Sequence, residues 1–88
     1  MGRYTVHRQD TTAKALIAYA ESLGFIYLEL GVVIDGILAY GQRIVAVDWK
    51  SAGGTLTPKQ QRLIARGFPV RFISTPAQLE AVKAELGQ

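Results

Sequence analysis

Hydrophobic positions recur at helical spacing near the start of the chain. From Ala13 to Ala20, apolar residues fall three or four positions apart, so that they share one face of a helix. We predict that this helix begins at Asp10, with Asp10 or Thr11 as its cap. Gly24 suits its end, because glycine readily adopts the left-handed conformation that closes a helix.

Three apolar segments follow and read as strands, at residues 25–30, 32–40 and 43–50. Gly31 separates the first two, and Gly41-Gln42 is a two-residue hairpin turn between the second and third. The third segment has apolar residues on both of its faces. This pattern is typical of a strand in the middle of a sheet that helices cover on both sides.

Two later segments share one helix-start signature, residues 57–60 (TPKQ) and 75–78 (TPAQ). Each offers a threonine cap, a proline in the first turn and a glutamine that can complete a capping box. The helix that begins at residues 57–60 is predicted to run to about Gly67, and the helix that begins at residues 75–78 to run to the C-terminus. A short strand at residues 69–73 is predicted between them. The predicted order αβββαβα indicates an α/β fold with a mixed sheet of about four strands flanked by helices.

Composition narrows the possible chemistry. The chain has 88 residues, which we interpret as a single domain, 1–88, in which residues 1–9 form a loose basic arm. It contains no cysteine and one histidine, so thiolate chemistry, disulfides and multi-histidine metal sites are excluded. No apolar run approaches the ~20 residues of a membrane span, and the N-terminus lacks the apolar core of a signal peptide. We therefore expect a soluble cytoplasmic protein, and the net charge of +3 leans towards a polyanionic partner.

Acidic residues and one lysine gather at the ends of the second and third predicted strands. Asp48 and Lys50 are two residues apart in a strand, so their side chains share a face, and Asp35 lies on the neighbouring segment. Two carboxylates beside a lysine suit a magnesium-dependent phosphodiesterase. Asp35 and Asp48 would be metal ligands, the backbone carbonyl of Trp49 a third, and Lys50 would face the attacking water or the phosphate. The Trp49 ring alternates to the other face, which indicates core packing or a dimer surface. The alternative to a metal site is an ordinary ion pair between Asp48 and Lys50.

Three segments around these residues resemble a known nuclease pattern. Residues 33–36 (VIDG), 47–51 (VDWKS) and 53–60 (GGTLTPKQ) are similar to the PD-(D/E)XK nucleases, and more narrowly to their VRR-NUC branch, across residues 10–85. The resemblance implies a restriction-endonuclease-like core that uses Mg²⁺ or Mn²⁺. It also implies an endonuclease that cuts branched DNA, including four-way junctions, often as a homodimer.

The same resemblance assigns roles residue by residue. Asp35 takes the place of the first-motif acid, Asp48 and Lys50 form the second motif, and Gln60 takes the family glutamine. Isoleucine precedes Asp35 where proline is usual. The family acid on the first helix is also missing, and Asp10 is either a metal ligand in its place or a helix cap.

Gln60 and the basic residues have alternatives that the sequence leaves open. Gln60 follows Thr57 by three positions. Its side chain could complete the capping box, line the active site, or do both. Lys59, Arg62 and Arg66 lie along one face of the helix after the site and, with Arg3 and Arg8 of the arm, would contact DNA phosphates. Each alone is equally an ordinary solvated residue.

Two other functions compete with the nuclease. One is a non-catalytic DNA-binding or assembly module on the same fold, which the missing first-helix acid favours. The other is an unrelated small α/β interaction domain in which Lys50 merely neutralises Asp48. Cutting both strands of a junction with one site per chain requires two copies, so the nuclease hypothesis carries a homodimer with it.

Overall fold

The computed structural model describes residues 7–51 and 54–88, with the backbone alone for residues 7–11. Its elements follow the predicted order and form one mixed four-stranded sheet with strand order β1-β2-β3-β4. The first two pairings are antiparallel, and β3 and β4 are parallel. The elements are α1 (His7–Ser22), β1 (Ile26–Glu29), β2 (Gly36–Tyr40), β3 (Arg43–Trp49), α2 (Pro58–Ala65), β4 (Val70–Ile73) and α3 (Pro76–Leu86).

Helix α1 begins earlier than the sequence pattern predicts. It starts at His7, so Asp10 and Thr11 lie within the helix and the prediction that either one caps it is wrong. Residues 7–9 likewise belong to the helix rather than to a loose arm, while residues 1–6 lie outside the described part of the chain. No proline or glycine interrupts residues 7–12, so the helix extends past the first apolar position. Gly24, with φ of 102°, ends it as predicted, and the amide of Phe25 donates to the carbonyl of Ala20.

The connection between β1 and β2 is a turn rather than a strand. The sequence pattern predicts a strand over residues 32–40, but β2 begins only at Gly36. The amides of Leu30 and Gly31 both donate to the carbonyl of Asp35, at 2.8 and 3.2 Å, so the chain folds back over residues 31–35. Gly31 has a φ of 73°, which permits this reversal. Asp35 therefore lies at the entrance of β2, at the base of a turn.

The β2–β3 hairpin matches its prediction. Gly41 and Gln42 both have positive φ, 59° and 69°, as a two-residue type I′ turn requires. This turn sets the register in which Tyr40 pairs with Arg43 and Gly36 with Val47. After β3 the chain crosses through α2 and returns as β4 parallel to β3, which confirms the predicted helical crossover.

The core lies on one face of the sheet, against α1 and α3. Leu38, Val45 and Val47 point to this side and are almost fully buried, as are Leu79 and Val82 of α3. The opposite face of β3 differs from the prediction that both faces are covered, because Ile44 is 67% exposed. The sequence of β3 shows that side chains on both of its faces are apolar. Which face the helices cover is decided by long-range packing, which the sequence pattern does not reveal. None of the helices within the described ranges is long and apolar enough to cross a membrane.

The capping box of α3 provides a first prediction. The Thr75 hydroxyl accepts from the amide of Gln78, and the Gln78 side chain accepts from the amide of Thr75. Replacing Thr75 with alanine removes the side-chain acceptor of an amide of the first turn, so we expect a loss of about 1 kcal/mol in the free energy of unfolding. Urea denaturation measures this loss. Thr55→Ala, at an exposed position outside the helices, is the control, and equal midpoints for the two variants would contradict the prediction.

Candidate active site

Two hydrogen bonds between backbone amides and side-chain carboxylates link the start of β2, at Asp35, to the end of β3, at Asp48 and Trp49. The amide of Asp35 donates to Oδ1 of Asp48 at 3.0 Å, and the amide of Trp49 donates to Oδ2 of Asp35 at 2.8 Å. Gly36 pairs with Val47, so Asp35 and Asp48 face each other one step further along the same two strands. The structure thus places both predicted acids on one side of the sheet, with side chains fixed by backbone donors.

Lys50, the residue directly after β3, forms an ion pair with Asp48. Its Nζ lies 3.1 Å from Oδ2 of Asp48, and the two side chains are 18% and 7% exposed. Nζ also lies 5.8 Å from the centre of the Phe72 ring on β4. The pair is therefore largely shielded from water, unlike an ordinary surface ion pair.

Gln60 takes part in the capping box of α2 and also lines the pocket described below, the two places between which the sequence could not decide. Its Oε1 accepts from the amide of Thr57 at 3.1 Å and from Nζ of Lys50 at 3.0 Å, while its Nε2 donates to the carbonyl of Val33 at 3.1 Å. The residue is only 4% exposed. One side chain thus completes the α2 capping box and ties Lys50 to the turn that carries Asp35.

Trp49 lies between Asp48 and Lys50 but turns its ring to the other side of the sheet. The ring packs in the core, and its Nε1 donates to the hydroxyl of Tyr27 at 3.1 Å. Burial raises the pKa of this Tyr27 hydroxyl, and the charges of Asp35 and Asp48 add to the rise. Of the two predicted roles of the tryptophan ring, the structure shows core packing, and the Trp49 backbone remains beside the acids.

A pocket of about 490 Å³ opens beside these side chains. Asp35, Asp48, Lys50 and Gln60 line it, with Thr12 and Ala13 of α1 on another side. Sequence reasoning missed Thr12 and the Val33 carbonyl. Thr12 adjoins Ala13, the inward position of this helix, whereas the carbonyl of Val33 carries no signal in the sequence because any residue would supply it.

The two carboxyl groups influence each other's ionisation. Burial raises the pKa of Asp35 to about 6, and the adjacent charge of Asp48 and a hydrogen bond between the two carboxyl groups add to the rise. The amide of Trp49 and the ammonium of Lys50 act in the opposite direction. A cation between the two carboxylates would offset the repulsion that contributes to this raised pKa.

The donor set fits a hard divalent cation. Carboxylate and carbonyl oxygens are the ligands that Mg²⁺ prefers, and Asp35, Asp48 and the Trp49 carbonyl could supply them. Among side chains 12–51 and 54–88, no cluster of three or more Asp, Glu, His or Cys residues forms. The Asp10 side chain lies outside the described residues, so its predicted role as a ligand stays a prediction.

Comparisons of the chain with protein-family models, with curated proteins and with solved structures find no match. The family resemblance therefore stays a prediction from the sequence.

The basic residues predicted to contact DNA divide into two groups. Lys59, Arg62 and Arg66 are exposed on or directly after α2, the helix whose first turn reaches the pocket through Gln60. Arg8 lies in α1, where only the backbone is described, and Arg3 lies outside the described residues. Only the α2 group can be related to the pocket.

The raised pKa of Asp35 predicts a pH dependence of stability. An unfolded aspartate titrates near ~3.9, whereas folded Asp35 titrates at about 6. Between these values the folded protein binds more protons than the unfolded chain, so this residue's contribution to the free energy of unfolding falls as pH rises from about 4 to about 6.

The contribution of Asp35 can be isolated by comparing wild type with Asp35→Asn. Urea denaturation at several values from about pH 4 to about pH 7 should show that wild type loses stability relative to the variant as pH rises across this range. Other carboxyl groups titrate in both proteins, so only the difference reports on Asp35. Parallel curves for the two proteins would contradict the prediction.

Proposed function

We propose that the protein is a metal-dependent endonuclease that hydrolyses phosphodiester bonds in structured DNA, on a restriction-endonuclease-like core. The observation that carries the proposal is the meeting of Asp35, Asp48 and Lys50 in one pocket, at the ends of adjacent strands. Two acids and a lysine two positions beyond the second acid are the constellation that the resemblance to VRR-NUC nucleases requires. The αβββαβα order and the mixed sheet agree with it.

Each residue has a role in this chemistry. Asp35, Asp48 and the Trp49 carbonyl would hold Mg²⁺ or Mn²⁺, which when bound supplies charge stabilisation and lowers the pKa of water. Lys50 holds a positive charge 3.1 Å from Asp48, where it can neutralise charge that develops on the phosphate or orient the attacking water. Gln60 fixes the ammonium group of Lys50 by accepting its hydrogen bond.

The DNA substrate would lie across the pocket and along α2. Lys59, Arg62 and Arg66 are exposed there and can contact phosphates without reading sequence. Because α2 begins at the pocket, phosphate contacts with these cations would bring a phosphodiester towards the acids. This arrangement favours recognition of DNA shape.

A cleavage assay with three DNAs tests the proposal. Labelled linear, flapped and four-way DNA are incubated with the protein in Mg²⁺, in Mn²⁺ and in excess EDTA. We expect nicks near the branch point with either metal and none in EDTA. Cutting that persists in EDTA, or intact DNA under every metal condition, would contradict a metal-dependent nuclease.

A second candidate is a DNA-binding module without catalysis. The observation in its favour concerns the part of α1 whose side chains the structure describes. There, Thr12 and Ala13 line the pocket, and no acidic residue does. This candidate predicts a salt-sensitive mobility shift that is equal with metal and with EDTA, and no cleavage. The same assay therefore separates the two functions.

Salt dependence tests the α2 surface directly. We expect Arg62→Gln and Arg66→Gln each to weaken binding of all three DNAs similarly and to reduce the slope of log K against log salt by about 1, because each removes one phosphate contact. Binding is measured by fluorescence anisotropy in EDTA, where no cleavage occurs. Gln61→Ala, an exposed neutral position on the same helix, is the control, and slopes equal to its slope would show that the arginines do not contact phosphate.

A further inference from the structure

The sheet has a second face, and it is apolar and exposed. Pairing between strands places Ile26, Ala39 and Ile44 in one row across this face, with Ile26 and Ile44 being 71% and 67% exposed. The next row continues from Leu28, which is 59% exposed, to Val70. On the opposite face, the neighbouring core residues are almost completely buried.

Charge is absent from both of these rows. Ile37 and Ala46 fill the second row between Leu28 and Val70, so all seven side chains of the two rows are apolar. The first charged positions on this face are Asp35, Asp48 and Lys50 at the pocket, where Lys50 pairs with Asp48. A nucleic acid or a charged peptide would find no complementary charge here, whereas a second apolar face would meet no unpaired charge.

The shape of the face suits pairing with itself. In the first row a small residue, Ala39, lies between two large ones, and Ala46 of the second row is its diagonal neighbour on the adjacent strand. The large side chains of Ile26 and Ile44 thus border a shallow trough. When two such faces pack about a twofold axis, the ridges of one copy can fill the trough of the other, as they do between sheets packed ~10 Å apart.

The area is of the size that a dimer needs. Three of the seven side chains in the two rows are exposed and the other four are partly buried. At on the order of 100 Å² of apolar surface for an exposed aliphatic side chain, the two rows offer on the order of 400 Å². Leu30 and Phe68, 43% and 44% exposed, extend the face beyond β1 and ahead of β4. The total, on the order of 600 Å² per partner, lies at the lower end of specific interfaces and at the upper end of the patches that monomers expose.

We propose that this face, built from the outward residues of β1, β2 and β3, is the interface for a second copy of the chain. The inference rests on the exposed face and is independent of the nuclease chemistry. If both hold, Asp48 lies one pairing step beyond Ala46 on the same side of the sheet. The pocket of each copy would then lie at the rim of the interface, and one particle would carry two pockets.

The experiment measures mass in solution by light scattering and sedimentation at micromolar protein concentration. We expect wild type at twice the 9.6-kDa mass of the chain. Ile44→Glu would bury a carboxylate against apolar side chains, so the dissociation constant should rise more than about a hundredfold, and the variant should be a folded monomer by circular dichroism. Ala84→Glu, exposed on α3 behind the other face, adds the same charge and should remain dimeric.

A second variant protects the test if Ile44→Glu does not fold. Leu28→Lys lies on the edge strand β1 and should also give a monomer. A monomeric wild type would overturn the proposal and leave the face to a different partner. Dimers of Ile44→Glu and Leu28→Lys as tight as wild type would overturn it as well, because the interface would then lie elsewhere. DNA cleavage does not enter either readout, so the two proposals can fail separately.

Discussion

Replacing Asp48 with asparagine, or Lys50 with methionine, is expected to reduce metal-dependent DNA cleavage by about a thousandfold or more. The asparagine side chain lacks the negative charge that a divalent cation needs from its ligand. The methionine side chain lacks the ammonium group that in wild type lies 3.1 Å from Asp48 and 3.0 Å from Gln60. Cleavage of a labelled four-way DNA, followed over time in Mg²⁺, measures both losses.

The two variants should differ in stability, and the difference separates catalysis from folding. Lys50→Met leaves the Asp48 carboxylate, on a residue only 5% exposed, without its cation, so we expect a loss of about 3 kcal/mol in the free energy of unfolding. The double variant Asp48→Asn/Lys50→Met removes both charges. It should regain most of this stability, because position 48 then no longer buries an unpaired charge, and it should remain inactive.

Lys59→Met is the matched control, since Lys59 is an exposed lysine on the helix next to the pocket. It should fold normally and cut DNA within about tenfold of wild type, because it loses at most one phosphate contact. If the double variant cut DNA as fast as wild type, Asp48 and Lys50 would be a structural ion pair, and the active site proposed for the nuclease would be wrong. An inactive Lys59→Met would instead indicate that DNA binding, rather than chemistry, limits the assay.

Local signals make much of this fold predictable. The repeated threonine, proline and glutamine signature predicts the starts of α2 and α3, and Gly41-Gln42 predicts the β2–β3 hairpin with its register. The register alone then places Asp48 opposite Asp35, so the meeting of the two acids follows from strand pairing. These features depend on residues close together in the chain, and local patterns are enough to predict them.

Features that depend on distant contacts are not predictable in this way. The valines and isoleucine within residues 32–35 favour extended backbone and so predict a strand. In the structure the carbonyl of Asp35 instead accepts hydrogen bonds from the amides of Leu30 and Gly31, and this segment forms a turn. The exposure of Ile44 escapes prediction because alternation cannot tell a covered face from an open one. The hydrogen bond from Gln60 to the Val33 carbonyl joins residues 27 positions apart and leaves no pattern in the sequence.

Gly36 is the position where a single methyl group should cost the fold most. A Cβ atom placed there would lie 2.3 Å from the carbonyl oxygen of Leu28 and 2.6 Å from the ring of Tyr27, both closer than real contacts allow. Gly36→Ala must therefore push β1 and β2 apart where they pair. We expect a loss of about 3 kcal/mol in the free energy of unfolding, and a fall in Tm of more than about 10 °C.

Two comparisons identify the cause of that loss. Gly41→Ala has open space around its Cβ but a φ of 59°, so it should lose only about 1 kcal/mol through backbone strain. In a Tyr27→Ala background the ring is gone while the Leu28 carbonyl remains, so Gly36→Ala should still be strongly destabilising there. A small loss in that background would place the conflict in the ring alone. Because Asp35 immediately precedes Gly36, a shift of this strand would also separate Asp35 from the amide of Trp49, and the stability and the geometry of the acids should be lost together.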